Sequence, residues 1–501
     1  MTNQSVSEDE ATECSQTNST VPQPQKTEFP PPQPLIAGIH SPTIHHSAAT
    51  QEDVSTIDKL DWRHTWLAGY SSRGYKATEA ATSPIKRVAI LSVHTCPLAL
   101  MGGKKTGGMN VYVRDVARAL GQQGVRVDVF TRSQDACQPT VKHDIGFGGR
   151  VIHIAAGPET PIPTAEVSLY IDEFTQGVIA FARAEGIAYN LIHSHYWISG
   201  LVAIQLREQH EEQWQQIPIV HMFHTLGEMK NQIALAEKDR APQERLDGEK
   251  VVVDAVDIII AATPSEKRQL TDCYGADPSK IQILPPGVDL AHFQPIAQRE
   301  ARARLTIPAA AQNILFAGRI ERLKGIDTLL QAAALLKARH ADLLPQLTIT
   351  IIGGDPHADT LDQEMARLQE LRCELELCNV VAFIGAKDHE LLPDYYAAAD
   401  VVVMPSHYES FGMVALEAMA MGRAVIASEV GGLAHLVAHG ETGFHIPPHD
   451  AETLASRLFE LLINSTFREQ LGEQAHAYAR NFGWETIVGH MQQIYSETVA
   501  E

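Results

Sequence analysis

Two carboxylates in one apolar stretch, Glu409 and Glu417, mark the part of this sequence with the clearest capacity for chemistry. They lie in AADVVVMPSHYESFGMVALEAMAMGRAVIASEVGGL, which runs from Ala398 to Leu433. Val401 to Met404 is an apolar run of strand length stopped by Pro405, and Met413 to Met421 is apolar nearly all round, the pattern of a buried helix. Gly422 ends that helix and Ala424 to Ser428 starts a second strand, so the unit reads as βαβ. Glu409 therefore falls in the loop at the carboxyl end of a strand, and Glu417 projects from the buried helix. An ionised carboxylate in such a place costs several kcal/mol unless donors meet it. A ribose diol supplies two donors and a neighbouring Arg or Lys is the structural alternative; the residues alone leave both open. At the helix start, the amides of Gly412, Met413 and Val414 are unpaired donors beside the positive end of a dipole, which makes an anion site.

Three further stretches put polar groups at carboxyl ends of strands, where doubly wound sheets bind ligands. From Ile314, ILFAGRIERLKGIDTLLQAAALL reads as strand, loop and amphipathic helix, with Arg319 and Lys324 in the loop as partners for an anion or as a solvated pair. Lys86 to Val93 reads as a buried first strand followed by HTCPLALMGGKKTGGMNVYVRDVARALGQQG. Gly102, Gly103, Gly107 and Gly108 let that loop approach a ligand, and the periodicity from Asn110 to Leu120 predicts a helix, together a phosphate cradle. Lys104 and Lys105 bring positive charge to the loop or are a solvated pair. Asn190 to Ile192 reads as a strand running into HSHYWISG, and Ile217 to Met222 as another running into FHTLGEMKN. His224 and Thr225 then converge with Tyr196 on one edge of a sheet, either as a cleft wall or, for the histidines, as ordinary core residues.

The pair Glu409 and Glu417 within ESFGMVALEAMAMG, the GR-x4-KG spacing of Arg319 and Lys324, and GGMNVYV together resemble the retaining glycosyltransferases of family 4. The resemblance covers the chain beyond its first 84 residues or so, and HTCPLA is similar to the subgroup containing the inositol-phosphate N-acetylglucosaminyltransferase of mycothiol synthesis and sucrose-phosphate synthases. It implies an α/β chain of the GT-B fold: two doubly wound Rossmann-like domains facing a cleft, the first at 85–295 for the acceptor, the second at 312–483 for the nucleotide sugar, joined by a hinge over 292–311. The segment 484–501 is then a helix crossing back to the first domain. It also implies that Gly107, Gly108, Arg319, Lys324, Gly412, Met413 and Val414 hold the donor diphosphate, that backbone around Ala386 and Lys387 holds the base, and that Glu417 holds the ribose. Glu409 and His224 fall on the donor sugar, with His224, Glu409, Arg319 and Lys324 as the catalytic set. Asn110, Tyr196, Thr225, Arg245 and Lys105 fall on the acceptor. One departure is Thr164, in AAGPETPIPTAEVS, where the subgroup carries an acceptor-phosphate lysine; a hydroxyl does not replace an ammonium there.

The activity so implied is hexosyl transfer from a nucleoside diphosphate sugar, UDP by resemblance, to a small soluble hydroxyl acceptor such as a sugar or inositol phosphate. No DxD triplet occurs, so no metal and no cofactor are expected. Rival readings are a non-catalytic sugar-nucleotide sensor, an epimerase of the same fold, and a phosphorylase, for which no pyridoxal lysine site is found. Composition narrows the partners. A net charge of −21 over 501 residues argues against nucleic acid or an anionic bilayer as the main partner. No run of 18 apolar residues and no signal-peptide pattern occurs, which gives a cytoplasmic expectation. Six scattered cysteines suggest neither disulfides nor zinc, with Cys373 and Cys378 on one helix. The region 1–84, rich in Ser, Thr, Gln and Pro, is expected to be a disordered tail, although Trp62, Trp66 and Tyr70 could dock. A homodimer stays open. After Gly443 the chain is expected to be helical.

Overall fold

The computed structural model describes residues 85–99, 107–209, 213–234, 237, 240–342, 346–358 and 361–500. The expected tail 1–84, with Trp62, Trp66 and Tyr70, lies outside the described residues, as do Gly102, Gly103, Lys104 and Lys105.

Among the described residues, fourteen strands form two sheets. The first holds β1 (Arg87–Leu91), β2 (Arg126–Arg132), β3 (Val141–Gly146), β4 (Gly149–Ile154), β5 (Leu191–His195), β6 (Ile219–Met222), β7 (Ile258–Ala261) and β8 (Ile281–Ile283). Their order is β3-β4-β2-β1-β5-β6-β7-β8, parallel except for β3, which pairs antiparallel with β4. The second sheet holds β9 (Gln312–Ala317), β10 (Leu347–Ile352), β11 (Val381–Phe383), β12 (Val401–Met404), β13 (Ala424–Ser428) and β14 (Gly443–Ile446), parallel in the order β11-β10-β9-β12-β13-β14. Val401–Met404 and Ala424–Ser428 are buried along their whole length, as strands covered by helices on both faces must be. Each sheet reverses direction once, between β1 and β5 in the first and between β9 and β12 in the second, and the loops leaving those strands flank a crevice.

Several elements differ from the sequence reading. Strand β3 is a half-exposed hairpin partner that its polar sequence VKHDIG does not announce. Strand β5 runs on to His195, so His193 and His195 belong to the sheet and are fully buried. After Gly443 the chain first adds β14 and only then the helices Ala451–Ile463, Ser465–Ala479 and Trp484–Ala500. The stretch 292–311, expected as a hinge, carries the helix Gln298–Arg304, docked on the helix Leu392–Ala398 beside the second sheet. Its anchor is Arg302, whose Nη2 lies 2.7 Å from Asp400 Oδ2 while Nε and Nη1 donate to the carbonyls of Ala398 and Ala309. The last helix, Trp484–Ala500, packs on Gly108–Gln122, with the rings of Trp484 and Tyr112 edge to face at 5.4 Å.

Candidate functional site

The loops after β9 and β12 bring the second sheet's polar residues together. Lys324 ends a single turn, Arg322–Lys324, and Gly325 follows at φ +63, so close beneath Pro405 that a Cβ would lie 1.9 Å from its carbonyl oxygen. The two loops are tied by the amide of His407 donating to Leu323 O at 2.8 Å. This seats Lys324 Nζ 2.5 Å from Glu409 Oε2. Glu409 is held in turn through its carbonyl, which accepts from the amide of Gly432 at 2.9 Å. Gly412 caps the helix Met413–Ala420 at φ +109, where a Cβ would strike Leu433 at 2.5 Å. The amides of Met413 and Val414 follow it.

Across the cleft, the helix Gly108–Gln122 presents its own start. A Cβ on Gly108 would lie 3.6 Å from Met413 Cγ, and one on Gly107 would lie 3.3 Å from Arg319 Nε. Two helix N-termini and Arg319 therefore meet at one place, with Arg319 paired to Glu321 at 2.7 Å and partly exposed. Backbone dipoles and a guanidinium converging this way form a site for a multiply charged anion. Lys387 lies half-buried in the loop after β11, where the amide of Ala386 donates to Gly354 O at 2.8 Å.

Glu417 is 5% exposed, and among the described residues no Arg or Lys pairs with it. The Tyr396 hydroxyl donates to Oε2 at 2.6 Å, and His389 Nε2 stands 3.9 Å from Oε1. Burial pushes the carboxyl up to about 7, against the lowering effect of the tyrosine hydrogen bond.

On the first sheet, Tyr196, Thr225 and Arg245 do come together. Arg245 stacks over the Tyr196 ring at 4.9 Å and its Nη2 donates to Thr225 O at 2.8 Å and Oγ1 at 3.2 Å. Its charge is already met by fully buried Glu249, which accepts from Nε at 2.7 Å. His224 sits beside them at φ +63, its Nε2 3.0 Å from His195 Nδ1. Asn110 is 2% exposed and works as a strut: Nδ2 donates to Thr95 Oγ1 and Cys96 O, and Oδ1 accepts from the amide of Gly107. Its amide thus ties the start of the helix Gly108–Gln122 to the loop after β1.

Residues 106–292 match the model for Glycosyltransferase Family 4, and residues 297–478 that for Glycosyl transferases group 1. A D-inositol 3-phosphate glycosyltransferase of Kineococcus radiotolerans is 41% identical over 431 residues, spanning 84% of this chain and 97% of that one. D-inositol 3-phosphate glycosyltransferase 2 of Catenulispora acidiphila is 40% identical over 417 residues, spanning 83% and 96%. The chain is a family 4 glycosyltransferase. Its two facing Rossmann-like domains form the GT-B fold, seen also in the sucrose-phosphate synthase of Thermosynechococcus elongatus (37% identity, TM-score 0.74, covering 83% of this chain and 99% of that one). Anabaena HepE, solved with UDP-glucose, shares the fold at 20% identity and a TM-score of 0.63, covering 83% and 99%.

Sequence reasoning missed Tyr396 and His389 beside Glu417, and His195 behind His224, because each contact joins elements distant along the chain. Among the described residues of the glycosyltransferase, His292, His389 and Glu390 come within 4.8 Å of one another, a ligand set that a divalent ion accepts. They lie at the linker, and His292 Nε2 is engaged with His389 O at 3.1 Å. Cys373 and Cys378, expected on one helix, are divided: Cys373 is in the last turn of Gln363–Glu374 and Cys378 beyond it, the sulfurs 3.1 Å apart as exposed thiols. Among the described residues, no helix is long and apolar enough to cross a membrane.

Proposed function

We propose that this glycosyltransferase moves a hexose, with retention of configuration, from a nucleoside diphosphate sugar, UDP favoured, to a hydroxyl of a small soluble acceptor in the cytoplasm, without a metal ion. The carrying observation is the Lys324–Glu409 contact at the second sheet's reversal point, next to where two helix starts and Arg319 meet. In this reading Arg319, Lys324 and the amides of Met413 and Val414 take the charge that develops on the departing diphosphate. Lys387 lies by the base. Glu417, with one donor on Oε2, has Oε1 left to accept from a ribose hydroxyl. Glu409 positions the sugar rather than attacking it. The acceptor oxygen bonds to the anomeric carbon on the face the diphosphate leaves, the carbon–oxygen bond to phosphate breaks, and the acceptor proton passes to the departing phosphate oxygen.

Tyr196, Thr225 and Arg245 form the acceptor wall, with Lys105 as a further candidate. The names of the relatives support a sugar or inositol phosphate as acceptor, and HepE's ligand supports UDP. Against a phosphorylated acceptor stand Thr164 and the engagement of Arg245 with Glu249.

The test is a donor panel of UDP-glucose, UDP-N-acetylglucosamine, GDP-mannose and ADP-glucose, read by thermal shift and nucleotide release, with inositol phosphate and fructose 6-phosphate as acceptors. Binding of one donor with release stimulated by a phosphorylated acceptor is the expected result; no donor binding would refute it. Turnover should survive EDTA, and its loss would overturn the metal-free mechanism. Glu409→Gln should lower the rate mainly by weakening donor binding, and unchanged kinetics would remove Glu409 from the site.

A further inference from the structure

Behind His224 the first sheet holds three more imidazoles, His193, His195 and His221, all fully buried. Each has Nδ1 engaged: His193 with the Tyr495 hydroxyl at 2.6 Å, His221 with the Ser194 hydroxyl at 2.7 Å, and His195 with His224 Nε2 at 3.0 Å. In all three, Nε2 is buried and, among the described residues, has no hydrogen-bond partner. Burial holds His195 well below the usual histidine range and His224 down to about 3, with the neighbouring imidazoles acting in the same direction. Both rings are therefore neutral at ordinary pH, and each carries one proton on one of its two nitrogens.

One proton can occupy the contact between His195 Nδ1 and His224 Nε2, and the two ways of placing it differ in what they leave behind. If His224 supplies the proton from Nε2, then His195 must carry its own on Nε2, an N–H buried with no acceptor. If His195 supplies it from Nδ1, only a bare lone pair is buried there. Among backbone groups a buried N–H without a partner is rarer than an under-satisfied acceptor, and the same preference applied to the imidazole favours the second arrangement. His224 then carries its proton on Nδ1, and with Nε2 occupied this is the nitrogen it has left for a ligand.

We propose that His195 is a positioning residue that fixes His224 as the Nδ1–H tautomer, so that His224 meets the donor sugar as a hydrogen-bond donor. The inference rests on the expectation, from the family resemblance, that His224 faces the donor sugar of the proposed transfer. The surroundings hold both rings in register. Tyr112, on the helix that opens at Gly108, stands edge-on to His195 at 5.6 Å and to His224 at 5.1 Å. His193 covers the His195 ring at 4.2 Å and is itself bonded to Tyr495 on the last helix, Trp484–Ala500.

The first test needs no substrate. Long-range proton–nitrogen correlation spectra of the full-length unliganded enzyme carrying nitrogen-15 histidine, assigned with His195→Asn and His224→Gln, should show the His195 and His224 protons both on Nδ1. A His224 proton on Nε2 would overturn the proposal whether or not the chain proves to be a transferase on the expected donors. In kinetics, His195→Phe should lower kcat by about 10- to 100-fold, the scale of loss seen when the partner that orients a metal-bound histidine is removed. His195→Asn, whose side-chain N–H can still donate to His224 Nε2, should recover most of it. Equal losses in a folded Phe and Asn pair, or no loss in either, would count against a positioning role. Absence of all donor binding in wild type would instead indict the transferase reading and leave the tautomer result standing.

Discussion

On the second sheet's wall of the cleft, site residues form oppositely charged pairs, one between loops, Lys324 with Glu409 at 2.5 Å, and one within a loop, Arg319 with Glu321 at 2.7 Å, all at least partly open to solvent. On the first sheet's wall the polar groups are buried and uncharged, as in the row His193, His195, His221, or are neutralised in place, as Arg245 is by Glu249. The difference follows what each wall would meet. A diphosphate brings charge that cations must match, and a cation resting on a movable carboxylate is available to be exchanged. Sugar hydroxyls bring none, and fixed neutral donors and acceptors orient them without a charged group having to be desolvated.

The sharpest way to break this contrast is to remove the cation that carries it. Lys324→Ala should lower kcat/KM by about 100- to 1,000-fold, as losing one preorganised partner of developing charge does. The fold should lose less than catalysis does, the cost being that of leaving Glu409, 15% exposed, without its cation. Steady-state kinetics beside a denaturation curve separate the two effects. A loss under tenfold would place the diphosphate elsewhere.

Glu417 is the exception on the charged wall, a lone carboxylate treated as the first wall treats its polar groups. Its folded value of about 7 lies above the 4.5 of an ordinary glutamate, so the folded state holds a proton that the unfolded chain releases. The unliganded enzyme is therefore favoured by this group below pH 4.5, and that contribution is lost as pH rises from 4.5 through about 7. Glu417→Gln keeps an oxygen for the Tyr396 hydroxyl and has nothing to ionise. At pH 8 it should stabilise the unliganded protein by roughly 3 kcal/mol while weakening nucleotide-sugar binding, and at pH 4.5 it should change stability little. Stability curves of wild type and variant that run parallel across this range would show that Glu417 is not the group responsible.

How much of this could be read from the chain follows the distance over which each feature is encoded. The βαβ unit from Ala398 to Leu433 was legible because its apolar runs, Pro405, Gly412 and Gly422 are all local signals, and observed β12 and β13 match the expected strands. Arg319, Lys324 and Glu409 were legible for a related reason: strand ends predict one crevice, and the loops after neighbouring strands meet there. Strands β3 and β14 were not, since VKHDIG and GFHI are too short and mixed in polarity to stand out from loops. The docking of 298–304 depends on Arg302 finding Asp400, and the state of Glu417 on Tyr396; neither pair shares a local pattern. Side-chain chemistry that rests on packing across elements is invisible until the topology is known.

The smallest expected effect tests how far Glu417 depends on that single partner. Tyr396→Phe removes the hydroxyl and leaves the ring in the core, so the loss is confined to one hydrogen bond to a buried carboxyl. When Glu417 is protonated, the bond is between neutral groups and its removal should cost about 1 kcal/mol. When Glu417 is ionised, the bond is charge-assisted and the remaining carboxylate is stranded, so the cost should rise to roughly 1.5 to 3 kcal/mol. Because the hydroxyl lowers the Glu417 value, its loss should also carry the midpoint of the pH dependence upward. The signature is thus a destabilisation larger at pH 8 than at pH 5, measured by denaturation at both. An equal loss at the two would mean that the Tyr396 hydroxyl does not distinguish the two states of Glu417, and no loss at either would mean that Tyr396 contributes packing alone.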